Sequence, residues 1–382
     1  MKKKIITAVS TLTLISLLAG CFPSDKKNVS SNGDVDVGVN SNENSDSLTE
    51  SEQPEQQTPD NLIWDMELSC DTPATVPSIR LTLKKWDKDE MEKILLDGKE
   101  IEEQFERDCQ FYPSEKHYSY DTKDQQRIYF EPGLIVIDDM GELGGKYQYG
   151  LVDCEAGLCT ASDDELTAFS REDAVNRVNA LTDKLGITNY GEPMITPIKA
   201  DFANDVLASY EGREDKHGNE YEYIPWTYNE EMYVLIYPFV YENTELAMNG
   251  FNIPQTTDKW SNTPSIIAVV TKDKIIRYCA NCVYSAEYDT VENISVKYGF
   301  NNAVEDLNRF YSNLLLENPV TYYSGKLVYL PSEMTDDEMT VTFVPGWEFL
   351  GYTELWEKTS PFDRYPEYQY FYANTGFRYI EN

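Results

Sequence analysis

Apolar residues recur at helical spacing in three main stretches. Over 87–105, Met91, Ile94, Leu95, Ile101 and Phe105 repeat at three- and four-residue intervals, which predicts one helix. Asp87 and Glu90 stand at its start with capping-box spacing, and Gly98 weakens its middle. A cleaner helix begins after Ser170, a good N-cap, with Glu172 and Asp173 in its first turn. Ala174, Val175, Val178, Leu181 and Leu185 form one stripe, and Gly186 supplies the stop. A third helix is predicted over 302–316, with Val304, Leu307, Tyr311, Leu314 and Leu315 on one side. A shorter one is predicted over 201–210.

Between the helices the period changes to that of strands. Segments 127–130 and 134–138 flank Glu131-Pro132-Gly133, which is turn chemistry. Segment 147–152 adds a third strand. Further strands are predicted over 232–241, 265–271, 274–285, 320–330, 339–344, 348–355 and 368–379. A helix followed by antiparallel strands thus occurs near 170–285 and again near 302–380. Each half carries an aromatic Pro-Trp element, Ile224-Pro225-Trp226 and Val344-Pro345-Gly346-Trp347. The expectation is an α+β fold of helices packed on antiparallel sheets. Its domains are a small α+β unit over 62–165 and two similar helix-plus-antiparallel-sheet units over 166–290 and 291–382.

The first sixty residues have a different pattern. Met1-Lys2-Lys3-Lys4 is basic, Ile5 to Leu17 is apolar with interspersed Thr and Ser, and small residues follow, as in an export signal. The apolar run is shorter than the ~20 residues that a spanning helix needs. From there to position 61 the chain is rich in Ser, Asn, Gln, Asp and Glu and cannot offset its ordering entropy by burial. A flexible coil of about 40 residues spans roughly 35 Å, and about 135 Å when stretched. Aromatic residues return from Trp64, where folded structure is expected to begin.

Composition narrows the partners. The 382 residues carry a formal charge of −35. Lys and Arg do not cluster in the body beyond Lys84-Lys85, so the electrostatic footprint of a nucleic-acid binder is missing. The same acidity repels anionic head groups.

The junction at the end of the apolar run is Leu18-Ala19-Gly20-Cys21, which resembles the lipobox of bacterial lipoproteins. The resemblance implies a signal peptide over 1–20, cleavage before Cys21, a lipid on its sulfur, and a polar tether over 21–61. It places the body outside the cytoplasm, held to the cell membrane by acyl chains. The helix opening Ser170-Arg171-Glu172-Asp173-Ala174, followed by strands, resembles PepSY-type domains of exported Gram-positive proteins. The chain is also similar to uncharacterised lipoproteins of clostridial gut bacteria. PepSY-type domains are thought to modulate partner proteins and have no catalytic residues, so the resemblance implies none here.

Setting Cys21 aside leaves Cys70, Cys109, Cys154, Cys159, Cys279 and Cys282 as disulfide candidates for an oxidising compartment. Sequential pairing closes the shortest loops and is the favoured one. Cys279-Ala280-Asn281-Cys282 is the sharpest chemical motif. Thiol–disulfide exchange needs a helix start to lower a thiol pKa, whereas this motif lies in a strand-like run, where a local disulfide fits better. A zinc site shared with Cys154 and Cys159 has unusual spacing. His117 and His217 lie in polar contexts and read as surface residues. The acidic groups Asp138-Asp139, Asp163-Asp164-Glu165 and Asp336-Asp337-Glu338 read as solvated loops.

No nucleophile elbow, zincin motif, P-loop or dinucleotide fingerprint occurs, and no metal or cofactor is expected. The 28 tyrosines suit sheet faces and also binding surfaces. Trp356, Tyr365, Tyr368 and Tyr370 are the binding-surface candidates, with an envelope protein, peptide or glycan as partner. The expected function is non-enzymatic binding or modulation at the cell envelope. The alternatives are an extracellular enzyme, acting through carboxylates or Cys279 and Cys282, and a solute-binding lipoprotein with parallel strands.

Overall fold

The computed structural model describes residues 59, 61–109, 112, 114–151, 154, 164–208, 224–248, 264–316, 318–335, 339–354 and 364–379. The signal segment 1–20, Cys21, nearly all of the tether, Cys159, His217, Trp356 and the group 336–338 lie outside them.

Among the described residues the chain runs β1 (Leu62–Trp64), β2 (Thr75–Thr82), α1 (Lys88–Leu95), β3 (Ile101–Asp108), β4 (Lys116–Thr122), β5 (Gln126–Glu131), β6 (Leu134–Asp139) and α2 (Glu142–Gly150). Then come α3 (Arg171–Lys184), β7 (Met194–Ile198), α4 (Ala200–Ala208), β8 (Met232–Pro238), β9 (Val240–Tyr241), β10 (Thr244–Leu246), β11 (Ser265–Thr271), β12 (Ile275–Asn281) and β13 (Asp289–Ser295). The last elements are α5 (Phe300–Ser312), β14 (Val320–Met334), β15 (Thr340–Glu354), β16 (Arg364–Tyr372) and β17 (Arg378–Tyr379). The fold is α+β.

The strands form two sheets. One has the order β3-β4-β5-β6-β12-β11-β8-β7 and is antiparallel throughout. The other follows β13-β2-β15-β14-β10-β9, with β1 on β14, β16 on β15 and β17 on β16. Its parallel pairs among the described residues are β1–β14 and β10–β14, so the parallel, two-lobed architecture of a solute-binding protein is not found there.

A helix followed by a four-stranded antiparallel meander occurs three times: α1 with β3–β6, α3 with β7, β8, β11 and β12, and α5 with β14–β17. The hydrophobic pattern leads to the expectation of this order near 170–285 and 302–380, and of a small α+β unit over 62–165. The first two copies join through their last strands, β6 against β12. The boundaries expected at 165 and 290 do not separate sheets. β1 and β2 belong to the sheet of the last copy, while β3–β6 share a sheet with the second.

Each helix covers its meander for a physical reason. Met91 and Leu95 of α1 and Ala174 and Val178 of α3 enter one cluster with Tyr120, Phe130, Tyr233 and Tyr278 of the antiparallel sheet. Phe300, Ala303, Val304, Leu307 and Tyr311 put the apolar stripe of α5 on Tyr322, Trp347, Phe349 and Phe371. Ser170 caps α3 as its sequence requires, its hydroxyl accepting from Asp173 N at 3.1 Å.

Three expectations fail. The helix expected over 87–105 stops at Leu95, and Gly98 turns the chain at φ +71° into strand β3. Ile101 and Phe105, four apart, share a face in a helix and in a strand alike, so their spacing did not discriminate. Of the strand expected over 147–152, residues 147–150 belong to helix α2, and Val152 lies outside the described residues. Gly144 lets α2 press on β6, since a Cβ there would lie 1.7 Å from the carbonyl oxygen of Asp139. The strands expected over 339–344 and 348–355 are one strand, because Pro345-Gly346 does not interrupt pairing with β14.

Candidate functional site

Side chains alternate along β14, β15 and β16. One face carries Trp347, Phe349 and Phe371 against α5. The opposite face carries three cross-strand rows in register: Ser324–Leu350–Tyr368, Lys326–Glu348–Tyr370 and Val328–Gly346–Tyr372. Gly346 suits the last row, because a Cβ there would crowd the Leu330 side chain and lie 2.9 Å from the backbone oxygen of Phe371. The register slips between Tyr322 and Ser324. The bulge residue Tyr323 stacks on Tyr352 with ring centroids 6.2 Å apart. The Arg364 guanidinium lies 4.1 Å from the centre of the Tyr352 ring, a cation–π arrangement. Tyr372 donates its hydroxyl to Pro331 O at 2.9 Å.

Glu348 stands in the middle row and is only 1 % exposed. Lys326 Nζ donates to Glu245 Oε2 on β10 and lies 3.7 Å from Glu348 Oε2. That distance is an ion pair and too long for a hydrogen bond. Glu348 Oε1 is buried with no hydrogen-bond partner among the described residues. Burial pushes the carboxyl up to about 7. Lys326 opposes this, and the neighbouring charge of Glu245 adds to it. Tyr323 and Tyr368 lie close enough to feel the Glu348 charge, and burial together with that charge holds their hydroxyls above the ordinary tyrosine range. The result is a buried carboxylate ringed by tyrosines, with one ammonium serving two carboxylates.

The binding-surface candidates divide. Tyr368 and Tyr370 share this face, Tyr370 buried and Tyr368 half-buried. Tyr365 pairs with Thr353 and has the parity of Phe371, so it belongs to the other face, where it is 45 % exposed. Glu348, Lys326 and Glu245 were missed by sequence reasoning. Glu348 directly follows the Pro345-Gly346-Trp347 element and is the one acid in the apolar run 341–352, which is the signal that could have marked it.

The other expected chemistry is structural. Cys279 lies mid-strand opposite Val136 and Ile267, and Cys282 follows at φ 50°. Both are thiols, so the local disulfide expected from their spacing is not formed. Burial pushes the Cys282 thiol up to about 12, with Cys279 adding to the effect. A disulfide exchanger needs the opposite shift. Cys70 and Cys109 are also thiols, so their sequential pairing is not formed either. Cys70 packs beside the cluster under α5, whereas Cys109 donates to Glu131 Oε2 at 3.3 Å. Cys154 is disulfide-bonded. No cluster of three or more His, Cys, Asp or Glu suited to a metal occurs among the described residues.

His117 is buried rather than on the surface. Its Nδ1 meets the same Glu131 oxygen at 2.9 Å, and its ring stacks on Tyr129. Cys109 and His117 thus meet the same carboxylate oxygen of Glu131. Asp138 is no solvated loop residue: it lies in β6 and accepts from Arg277 at 2.7 Å. Asp139 is buried and accepts from Gly141 N at 2.8 Å. Glu165 accepts from Tyr233 OH at 2.8 Å.

The geometry therefore defines an α+β protein of three helix-plus-meander copies, with a tyrosine-lined face on the last. Its fold is similar to that of an uncharacterised protein from Eubacterium rectale, with TM-score 0.58 and 14 % identity over 84 % of this chain and 89 % of that one. No family model matches the sequence, and no curated protein matches it. No helix among the described residues is long and apolar enough to cross a membrane.

Proposed function

We propose that this chain is a lipid-anchored binding protein on the outer surface of the cell membrane, without catalytic activity, which holds an envelope protein, peptide or glycan at the Glu348-bearing face of β14–β16, at its exposed end around Tyr323 and Lys326. The observation that carries this reading is the Lys326–Glu348–Tyr370 row, flanked by Tyr323, Tyr352 and Tyr368. Tyrosines offer wide contact area with few rotatable bonds and a hydroxyl for hydrogen bonding, which suits recognition. The anchoring half of the proposal rests on Leu18-Ala19-Gly20-Cys21 and the basic and apolar segments before it.

Tyr323 and Tyr365 are 46 % and 45 % exposed, on opposite faces, which makes them a matched pair. A photo-crosslinking residue placed at 323 in living cells is expected to give a discrete adduct, and one placed at 365 is expected to give little. Equal yields from both positions, or none from 323, would refute the assignment of this face.

A further inference from the structure

We propose that the face around Glu348 is a site for an organic ammonium ligand, such as the side chain of a lysine-bearing peptide, whose N–H donates to Glu348 Oε1. This rests on the reading of β14–β16 as the binding face and names the chemistry it selects.

Three independent features converge. The first is the orphaned acceptor: Oε1 is enclosed and has no hydrogen-bond partner among the described residues. Buried acceptors left unpaired are costly, and a ligand donor would remove that cost. The second is the charge balance. Glu245 and Glu348 share Lys326 as their one ion-pair partner among the described residues of the cluster, which leaves one negative charge uncompensated. Lys326 donates to Glu245 and lies 3.7 Å from Glu348 Oε2, and the Tyr370 hydroxyl hydrogen-bonds the Glu348 carboxyl, so the acceptor left for a ligand ammonium is Oε1. Lys326 and Glu245 have about a third of their side-chain surface exposed, at 31 % and 34 %, and form the open side of the cluster. The third is the aromatic surround. Tyr323 and Tyr368 lie near the carboxylate, and Tyr370 stands opposite it in register. Ring faces around a carboxylate favour a cation over a neutral isostere. The carboxyl's raised titration supports the same picture, because a nearby ligand cation would stabilise its ionised form.

A divalent metal fits less well, since two carboxylates here already share an ammonium and no metal-competent cluster occurs among the described residues. A neutral glycan would not use the uncompensated charge.

The test is calorimetric titration of the full chain at pH 8 with N-acetyl-lysine methylamide, its uncharged norleucine analogue, and calcium chloride. The lysine derivative is expected to bind at least roughly tenfold more tightly than the norleucine one, since the ion pair and cation–π contacts together favour the charge. Glu348→Gln is expected to weaken the lysine derivative about tenfold and to leave the neutral analogue unchanged. Tyr323→Leu, at an exposed position, is expected to weaken it several-fold. Wild-type binding should fall by roughly tenfold from pH 8 to pH 6 as Glu348 takes up its proton. Equal binding of the two derivatives, or an undiminished Glu348→Gln, would overturn the ammonium assignment, as would a calcium response lost in Glu348→Gln. If position 323 still crosslinks in those cases, the binding face stands and only its ligand chemistry falls. If 323 is also silent, the face itself falls.

Discussion

Replacing Glu348 by Gln is expected to stabilise the protein by about 3 kcal/mol at pH 8 and by less than about 1 kcal/mol at pH 5. The carboxyl titrates at about 7 in the fold against an ordinary value of 4.5. Folding therefore takes up a proton in that interval. The protonated acid contributes its full stability below about pH 4.5. That contribution is lost as the pH rises to 7, and the loss is complete above it. Gln copies the neutral acid at every pH, so the variant should lack this slope. Urea unfolding at pH 5 and pH 8 measures it. A variant less stable than wild type at pH 8 would show that the Lys326 ion pair outweighs the burial penalty on this carboxyl.

Trp347→Ala is expected to cost about 4–5 kcal/mol, the largest loss from a single side chain in the last meander. Trp347 is fully buried, meets Phe300 edge-on at 5.5 Å and Phe349 and Phe371 in the same cluster, and donates Nε1–H to Tyr298 O at 2.8 Å. Truncation leaves a large void under α5 and an unpaired carbonyl, which adds about 1 kcal/mol. Domains are stable by only about 5–15 kcal/mol, so the urea midpoint should fall sharply. Tyr365→Ala, at a 45 % exposed ring, should stay within about 0.5 kcal/mol. A Trp347→Ala loss below about 1 kcal/mol would mean that α5 does not bury this face.

The contrast between Trp347 and Glu348 shows what the sequence could and could not reveal. Adjacent residues on a strand point to opposite faces, so Trp347 falls under α5 and Glu348 on the tyrosine face. Periodicity located α3 and α5 because an apolar stripe with an N-cap or glycine at its end has few alternative readings. It misassigned β3 because residues four apart share a face in both periods, and α2 because Gly144 and Gly145 mimic a turn. The joining of two meanders through β6 and β12 depends on residues about 140 apart, and no local pattern encodes such a contact. The site escaped for a related reason. Lys326, Glu348 and Glu245 converge only through cross-strand register; the acid at 348 stands out in its apolar run, but nothing local names its partners. The aromatic run 365–370 was visible, but strand parity decides that Tyr368 and Tyr370 belong with Glu348 and that Tyr365 does not.

Both the stability slope and the ammonium site depend on Glu348 being an enclosed carboxylate at the centre of the β14–β16 face. Its carboxyl carbon, labelled selectively and assigned by comparison with Glu348→Gln, can be titrated directly by nuclear magnetic resonance in the full chain. The expected midpoint lies near pH 7 and falls when the lysine derivative is added. A midpoint in the ordinary glutamate range near 4.5, unmoved by that probe, would contradict both.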